Sequence, residues 1–432
     1  MRIGFLNRLK PTSTSFDKPA EPQPPVTPIV LTYPSMKIPR IPPELTDRII
    51  DHLHNDAPTL RSCSRVSKSW LPRSRYYSWH FVELNLKNWA TFEHILREDP
   101  DIGYLVRALR TTVYFFEEKP NWVDENLPRI ARWLPAVEEL TLAGNGTYRA
   151  VPFHAFPAVR KLSVRECEFT DVNEFITLLH HLPVVEELFS DGVLVGSSAS
   201  LAKLPKCLSR PKLRKIELHD TRLDPHLFWG WMTGEGMHEH VESIILLPQH
   251  KGALIPIGKF IDATGPRLKH FEIAMTALQL QGGYSGAFQS EVTYTAFELR
   301  RDLADVIGPF FNLASATGLR TIEFGSPADY ASRYGSDDTS FSWISMMLAQ
   351  TASPVIEEVT LSLSQGDLLG LGTAEWKHTV TTLLSDRFRT LKRVRMRILG
   401  PDKSSTDIRR ILEMQLKSLE ARKVLEFDMP EH

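Results

Sequence analysis

The chain has 432 residues, a formal net charge of −1 at pH 7, and charged residues at 24% of its positions. Because proteins that bind nucleic acid or membrane surfaces carry a basic excess, this balance argues against both classes of partner. The length predicts two or three domains, or one extended repeat array. No run of residues approaches the about 18 apolar residues that a membrane-spanning helix requires.

The cysteines are few and far apart in the sequence. None has a neighbour at the close spacing of a zinc ligand pair, and the set does not form the paired spacing of a disulfide framework. We therefore expect neither kind of site, and a reducing compartment, the cytoplasm and/or the nucleus. The three residues concerned are Cys63, Cys167 and Cys207.

Residues 1–37 are predicted to be a disordered, proline-rich tail. Prolines are dense from Pro11 onwards, and large apolar residues are few among them. Such a composition buries too little apolar surface to offset the conformational entropy that ordering removes.

The next segment has the pattern of two short helices. Leu45, Ile49 and Leu53 recur every four residues, so they lie along one face of a helix. Proline is tolerated only in the first turn, so Pro42 and Pro43 predict the start of that helix. A second apolar stripe follows a polar turn, at Leu60, Cys63, Val66 and Trp70. A unit this small buries too little surface to fold alone, which predicts a docking module whose stripe a partner covers.

This segment resembles the F-box. The F-box pattern is an apolar residue, then Pro-x-Glu-Leu, an Ile-Ile or Ile-Leu pair, and a closing Val-x-x-x-Trp. Ile41 stands where leucine is usual, and the segments 52–60 and 69–75 look like F-box proteins expanded in mushroom-forming (basidiomycete) fungi. The matching positions are Ile41, Pro42, Glu44, Leu45, Ile49, Ile50, Val66 and Trp70.

The resemblance implies that residues 38–82 bind a Skp-family adaptor and, through it, a cullin-RING ubiquitin ligase. The adaptor contacts that it implies are Ile41, Pro42, Glu44, Leu45, Ile49, Leu60, Val66 and Trp70. The residues themselves leave a second interpretation open, in which the helices only cap a larger core. A cap buries the Leu45, Ile49, Leu53 and Leu60 stripe within the chain, whereas a docking module leaves it open to a partner.

Residues 83–432 contain an irregular repeat. Val137-x-x-Leu140-x-Leu142 matches the leucine-rich repeat template, and the same pattern starts again at Val159. Copies recur at steps of about 22–28 residues and then at longer ones, and a proline often stands two residues before the anchor, where it ends a helix. The later anchors are Val185 (a degenerate copy), Leu213, Val241, Leu268, Leu319, Ile356 and Leu391.

Each unit is predicted to be one strand and one helix, which must stack on its neighbours because it cannot close a core alone. Early strands are predicted at 81–86 and 106–111, and helices at 126–134, 172–182, 199–208, 341–349, 374–384 and 408–419. The predicted fold is α/β: a short N-terminal helical F-box followed by an irregular leucine-rich-repeat solenoid, with a parallel strand ladder and helices.

A doubly wound or barrel α/β fold is the alternative architecture. Strands of those folds are buried on both faces and read as continuous apolar runs. Here the strands alternate, as in 215–219, so one face is solvated and the solenoid is favoured. The run 244–247 is apolar on both faces and is expected to lie under an insertion; the long step from 268 to 319 holds either another copy at Tyr294 or an inserted loop.

The solvated strand face is where a protein substrate is expected to bind. If the strands stack in register, three glutamates fall on related rows near the middle, and three arginines form a basic rung at the C-terminal end, suited to acidic or phosphorylated ligands. A mixed charge is also typical of any exposed strand face, which is the simpler interpretation. The candidates are Lys215, Glu217, Glu272, Glu323, Arg393, Arg395 and Arg397.

No catalytic motif of a serine hydrolase, zinc peptidase or phosphate-binding loop occurs, so no catalytic residue and no cofactor are expected. The segment 238–240 has two histidines but no second ligand pair, so no metal site is expected. The predicted function is substrate recognition in a Skp-cullin-F-box ubiquitin ligase, without enzymatic activity of its own. The alternative is a leucine-rich-repeat scaffold, or a small-GTPase regulator, not linked to ubiquitin.

Overall fold

A computed structural model describes residues 41–114, 116, 122–196, 210–219, 223–247, 251–274, 311–325, 342–364, 374–399, 414 and 416–428. The predicted tail, the predicted helix at 199–208, most of that at 408–419, and the possible repeat at Tyr294 lie outside the described residues. Within the described ranges, no helix is both long and apolar enough to cross a bilayer.

Three helices form the N-terminal unit, which we call the helical module: α1 (Pro43–His52), α2 (Ala57–Val66) and α3 (Leu71–His80). Helix α1 begins at the predicted prolines, because a proline at the first helical position gives up no hydrogen bond. Helix α2 is capped by Asp56, whose side chain accepts the N–H of Thr59 at 3.1 Å. Helix α2 ends at Val66, not at Trp70, and α3 was not predicted from the sequence.

The rest of the described chain alternates strands with helices. The strands are β1 (Phe81–Leu84), β2 (Ala108–Thr112), β3 (Glu139–Ala143), β4 (Thr147–Tyr148), β5 (Lys161–Arg165), β6 (Glu168–Phe169), β7 (Glu187–Asp191), β8 (Leu194–Val195), β9 (Lys215–His219), β10 (Ser243–Leu247), β11 (His270–Ile273), β12 (Thr321–Gly325), β13 (Glu358–Ser364), β14 (Arg393–Leu399) and β15 (Leu425–Asp428). The helices are α4 (Trp89–Glu98), α5 (Asp101–Leu105), α6 (Trp122–Ala131), α7 (Val172–His181), α8 (Pro225–Gly234), α9 (Lys251–Thr264), α10 (Ser342–Gln350), α11 (Ala374–Leu383) and α12 (Lys417–Ala421). Short 3₁₀ turns lie at Val151–Ala155, Met237–Glu239, Gly265–Arg267 and Asp386–Phe388.

The main sheet has 12 strands, all pairs are parallel, and its order is β1-β2-β3-β5-β7-β9-β10-β11-β12-β13-β14-β15. Each strand of the main sheet therefore pairs with the next strand of that sheet along the chain, and β4, β6 and β8 form a small second sheet. A doubly wound sheet reverses its order at a switch point, and this sheet does not. The fold is an α/β leucine-rich-repeat-like solenoid, as the alternating strands predicted.

Alternate strand residues decide where the core lies. In β9 the burial alternates along the strand, with Ile216 and Leu218 fully buried and the residues between them half-buried. Because side chains of a strand point to opposite faces in turn, one face packs on the helices and the other stays solvated. A continuous apolar core runs along the buried face from Val82 to Val424. We call the solvated side, formed by the first, third and fifth residues of the strands, the open face.

No further strand lies between β11 and β12 in the ladder, despite the long step between the anchors Leu268 and Leu319. Strands β11 and β12 pair directly, with Glu272 opposite Glu323. The degenerate copy at Val185 nevertheless supplies a regular strand, β7, in which Ser190 occupies a fully buried position that leucine or valine fills in neighbouring strands. Strand β7 still pairs with β5 on one side and β9 on the other.

Candidate functional site

The helical module has a small interior of its own. Ile50, Leu60 and Cys63 are buried, and they are separate from the continuous core of the sheet. Burial of Leu60, which is 1% exposed, corrects its predicted role as an adaptor contact. Leu60 lies on the side of α2 that packs within the module, so its side chain cannot reach a partner.

The same module presents large apolar side chains to solvent. Leu45 and Ile49 lie one turn apart on α1, so they share a helix face. Several large apolar side chains exposed on one small unit usually mark a surface that binds a partner. We call this set the docking face: Ile41 (55% exposed), Leu45 (50%), Ile49 (45%), Val66 (63%) and Leu71 (42%).

The remaining predicted adaptor contacts are exposed or half-buried. Pro42 and Glu44 are exposed at the start of α1, and Trp70 is half-buried just before α3. Leu53, part of the stripe that separated the two interpretations, is also half-buried. The stripe is therefore divided: its α1 half is open to solvent, and Leu60 is covered within the module.

Helix α3 joins the helical module to the solenoid. Arg73 of α3 binds Asp51 of α1 through Nε and Oδ1 at 2.6 Å, and its guanidinium lies over the ring of Tyr77. The hydrogen bond from Arg73 lowers the pKa of Asp51. Towards the solenoid, Arg75 pairs with Asp99 at the end of α4. These contacts fix the direction of α3, and with it the orientation of the docking face relative to the first strands.

The open face brings the predicted glutamates together. Register places Glu217 of β9, Ile245 of β10, Glu272 of β11 and Glu323 of β12 side by side in one row. This alignment confirms that the three glutamates lie close together near the middle of the sheet, and it places them in one row. Ile245 is half-buried. It is the outward apolar residue of the run 244–247, which the sequence analysis predicted to lie under an insertion.

Two of these carboxyl groups are perturbed in opposite directions. Burial raises the pKa of Glu217, but hydrogen bonds from His219 and Lys215 outweigh it and lower that pKa to about 2. The Glu217 carboxylate lies 2.7 Å from Lys215 Nζ and 3.1 Å from His219 Nε2. Burial and the nearby Glu272 together raise the pKa of Glu323, although Arg397 and Ser362 oppose that rise.

The predicted basic rung exists, but acidic side chains neutralise it. Arg393, Arg395 and Arg397 alternate along β14 on the open face. Arg393 pairs with Glu358 at 3.3 Å and with Glu426 at 2.9 Å, and Arg395 pairs with Glu358 at 3.0 Å. Arg397 pairs with Asp428 at 3.4 Å and also with Glu323. Because each guanidinium already has a carboxylate partner, this rung offers little free charge to an acidic ligand.

A further charged feature was not predicted. In the main sheet from β3 to β14, the residue just before each strand donates its backbone N–H to the carbonyl of its counterpart in the preceding unit, at 2.7–2.8 Å, so these residues form one continuous row. We call this row the charge ladder: Arg107, Glu138, Arg160, Glu186, Arg214, Glu242, Lys269, Arg320, Glu357 and Lys392. The sequence signal for it was the first variable position after each repeat anchor, which alternates in sign.

Ion pairs connect neighbouring units along the charge ladder. Arg107 pairs with Glu138 at 2.7 Å, Arg160 with Glu186 at 2.7 Å, and Lys269 with Glu242 at 2.8 Å. Glu357 follows Arg320 in the row and pairs with the next residue, Lys392, at 2.9 Å. The sign alternates at every step except one, where Lys269 and Arg320 are neighbours.

Side chains of the types that ligate metals, and free thiols, are found among the described residues. No group of three or more His, Cys, Asp or Glu side chains among them is placed to hold a metal ion. Cys63 and Cys167 are buried free thiols, and burial raises the pKa of Cys167. The docking face and the charged edge and open face of the sheet are therefore the features from which a function can be argued.

No protein-family model matches the chain, and no curated protein matches it. Among solved structures, one similar backbone is that of the crystal structure of the Rad7 and Elc1 complex in yeast, at 10% identity and a TM-score of 0.33, covering 82% of this chain and 75% of that chain. Another is an internalin (inlF) from Listeria monocytogenes str. 4b F2365, at 10% identity and a TM-score of 0.29, covering 77% of this chain and 82% of that chain. The fold described above rests on the strand order and register of the chain itself.

Proposed function

We propose that this chain is the substrate-recognition subunit of a Skp-cullin-F-box ubiquitin ligase. In this proposal the helical module docks a Skp-family adaptor, the solenoid recruits a protein substrate, and other subunits carry out ubiquitin transfer. The chain needs no catalytic residue of its own, because its contribution is to position the substrate. The cytoplasm and/or the nucleus is the expected location.

The observation that carries the proposal is the exposure of Leu45 and Ile49 on one face of α1. A helix that only capped the solenoid would direct these side chains into the chain's own core. Instead the module is closed by Ile50, Leu60 and Cys63, which leaves the F-box-like residues of α1 available to a partner. The motif and the exposure are independent observations, and both favour a docking role.

The test is co-purification of the full chain with a Skp-family adaptor. Leu45→Asp with Ile49→Asp should weaken the complex more than about 100-fold, because central apolar contacts of an interface each contribute about 2 kcal/mol or more. The substituted residues are already exposed, so the melting temperature should stay near that of the unmodified chain.

A matched control places the same charges on other exposed apolar residues. Val184→Asp with Val355→Asp changes two side chains of comparable exposure, both distant in sequence from the helical module. This variant should recover as much adaptor as the unmodified chain. Equal recovery by both double variants, or recovery by none of the three proteins, contradicts the proposal and leaves a leucine-rich scaffold.

A further inference from the structure

The single break in the charge ladder is a basic site. Lys269 precedes β11 and Arg320 precedes β12, and the N–H of Arg320 donates to the carbonyl of Lys269 at 2.8 Å. Neighbouring strands lie about 4.8 Å apart, so two cationic side chains start from adjacent positions. Like charges directly opposite each other destabilise a sheet, and everywhere else the charge ladder avoids that arrangement.

Among the described residues, Arg320 makes one long ion pair, with Glu357. The Glu357 carboxylate lies 2.9 Å from Lys392 Nζ but 3.9 Å from the Arg320 guanidinium, so it is engaged mainly by Lys392. The hydrogen bond from Lys392 is also the main cause that lowers the pKa of Glu357. On the other side, Glu242 binds Lys269 at 2.8 Å. Arg320 thus keeps a guanidinium that is 62% exposed and has no hydrogen-bonded carboxylate among the described residues.

The backbone holds the two cations close together. A Cβ atom on Gly318 would lie 1.9 Å from the carbonyl oxygen of Pro266, so the turns before β11 and β12 are in direct backbone contact. His270 Nδ1 and Thr321 Oγ1, on the first residues of the two strands, lie 2.6 Å apart. Arg267, which ends the 3₁₀ turn before β11, adds a third exposed cation to the same edge.

We propose that Arg267, Lys269 and Arg320 bind an acidic segment of the protein that the solenoid recruits. Carboxylates fit this site because an exposed guanidinium binds a carboxylate through two parallel hydrogen bonds, and an ammonium beside it adds a second charge. This proposal specifies which class of substrate the solenoid recruits, and it therefore rests on the proposed recruitment function. Arg320 differs from the arginines of β14, because each of those has a carboxylate at 3.4 Å or less, whereas its own carboxylate neighbour lies at 3.9 Å. Lys269 shares its charge with Glu242, so Arg320 is the main ligand for the acidic segment.

The probe is a fluorescein-labelled peptide of alternating glutamate and serine, with a glutamine–serine peptide of equal length as its counterpart. Fluorescence polarisation with the full chain should show the glutamate peptide binding at least about tenfold more tightly. Lys269→Gln with Arg320→Gln should reduce that affinity about tenfold. The variant relieves a like-charge contact but also removes the ion pair between Lys269 and Glu242. Both side chains of that pair are exposed, so its loss costs little, and the melting temperature should stay level, which separates lost binding from lost folding.

The matched control removes two cations of the same row that each have a glutamate neighbour. Arg107→Gln with Arg160→Gln changes the net charge by the same amount and should alter the affinity less than about twofold. Equal loss in both double variants would show nonspecific charge attraction and overturn the proposal. So would equal binding of the two peptides, or tighter binding of a single-stranded RNA of similar length.

Adaptor co-purification separates this proposal from the one on which it rests. The Lys269→Gln with Arg320→Gln variant should recover the adaptor fully, since the docking face is untouched. Peptide binding without adaptor recovery overturns the ligase assignment and retains the acid-binding site. Adaptor recovery without peptide binding overturns the acid-binding site alone.

Discussion

Glu217 and Glu323 occupy the same row of the open face, yet their surroundings perturb them in opposite directions. Lys215 and His219 hold Glu217 as a carboxylate, and its pKa falls to about 2 despite burial. Glu323 is more deeply buried and faces Glu272, so its pKa rises even though Arg397 binds it. Neighbouring side chains, and not the position in the row, decide the charge state of each glutamate.

The two glutamates should therefore contribute to stability with opposite signs. For Glu217 the folded pKa lies below the unfolded value, so its contribution is complete above about pH 5 and is lost as the pH falls towards 2. Glu217→Gln should cost about 1–2 kcal/mol near pH 7, after solvent screening is allowed for, and little near pH 2. Urea unfolding of both proteins across this range measures the difference.

Glu323→Gln is the matched comparison. A raised folded pKa means that ionisation of Glu323 opposes folding, so stability is lost as the pH rises from the unfolded value through the folded one. Replacing it should leave the stability at neutral pH level or higher, unlike replacing Glu217. The same pH profile in the two variants would contradict this assignment of charges.

Helix α3 shows how an element can form without a clear apolar period of its own. Its sequence of arginines, serines, tyrosines, tryptophan and histidine has no strong stripe. It is held by partners from other elements, including Asp51 from α1, Asp99 at the end of α4, and Phe92, whose ring centroid lies 6.2 Å from that of Trp79. Its stability therefore depends on the module and the solenoid together.

Leu60→Ala should destabilise the helical module selectively. Removing a buried leucine costs about 2–5 kcal/mol, and this interior is separate from the core of the sheet. Hydrogen exchange should accelerate in α1, α2 and α3, while the amides of β3 to β10 keep their protection.

The control at the level of the element is Val66→Ala on the same helix. Val66 is 63% exposed, so its truncation should change stability by less than about 0.5 kcal/mol. If Val66→Ala accelerates exchange as much as Leu60→Ala does, the division of α2 into buried and docking sides is wrong.

At the scale of the whole molecule, the charge ladder ties successive units to one another. Each inner residue of the ladder lies between two neighbours, so the sign of charge that is most stable at its position depends on both of them. In an isolated ion pair, exchanging the two residues restores the attraction. Within a ladder, exchange places a like charge on each outer side.

Arg160→Glu with Glu186→Arg should therefore remain less stable than the unmodified chain by about 0.5–1 kcal/mol. The exchange sets a second carboxylate beside Glu138 and a second guanidinium beside Arg214, in a row whose backbone spacing is unchanged. Urea unfolding at low and high salt measures the deficit, which should shrink as salt screens the repulsion. Full recovery in the exchanged variant would show that the pairs act independently.

Local chemistry determined much of the architecture. Prolines marked the start of α1, strict alternation separated the solvated strands from doubly wound ones, and the repeat anchors located most strands. These signals are readable because they depend on residues a few positions apart. The same reasoning predicted the row of Glu217, Glu272 and Glu323, since parallel stacking in register follows from a repeated pattern.

Tertiary structure alone decided the rest. It buried Leu60, stabilised α3 through contacts with other elements, paired β11 directly with β12, and placed carboxylate partners beside the arginines of β14. Arg397 and Glu323, for example, are 74 residues apart in the chain and meet only because β13 pairs with both β12 and β14. The sequence shows which residues carry a charge. Whether a charged side chain has an ion-pair partner depends on which distant residue the stacking of strands places beside it.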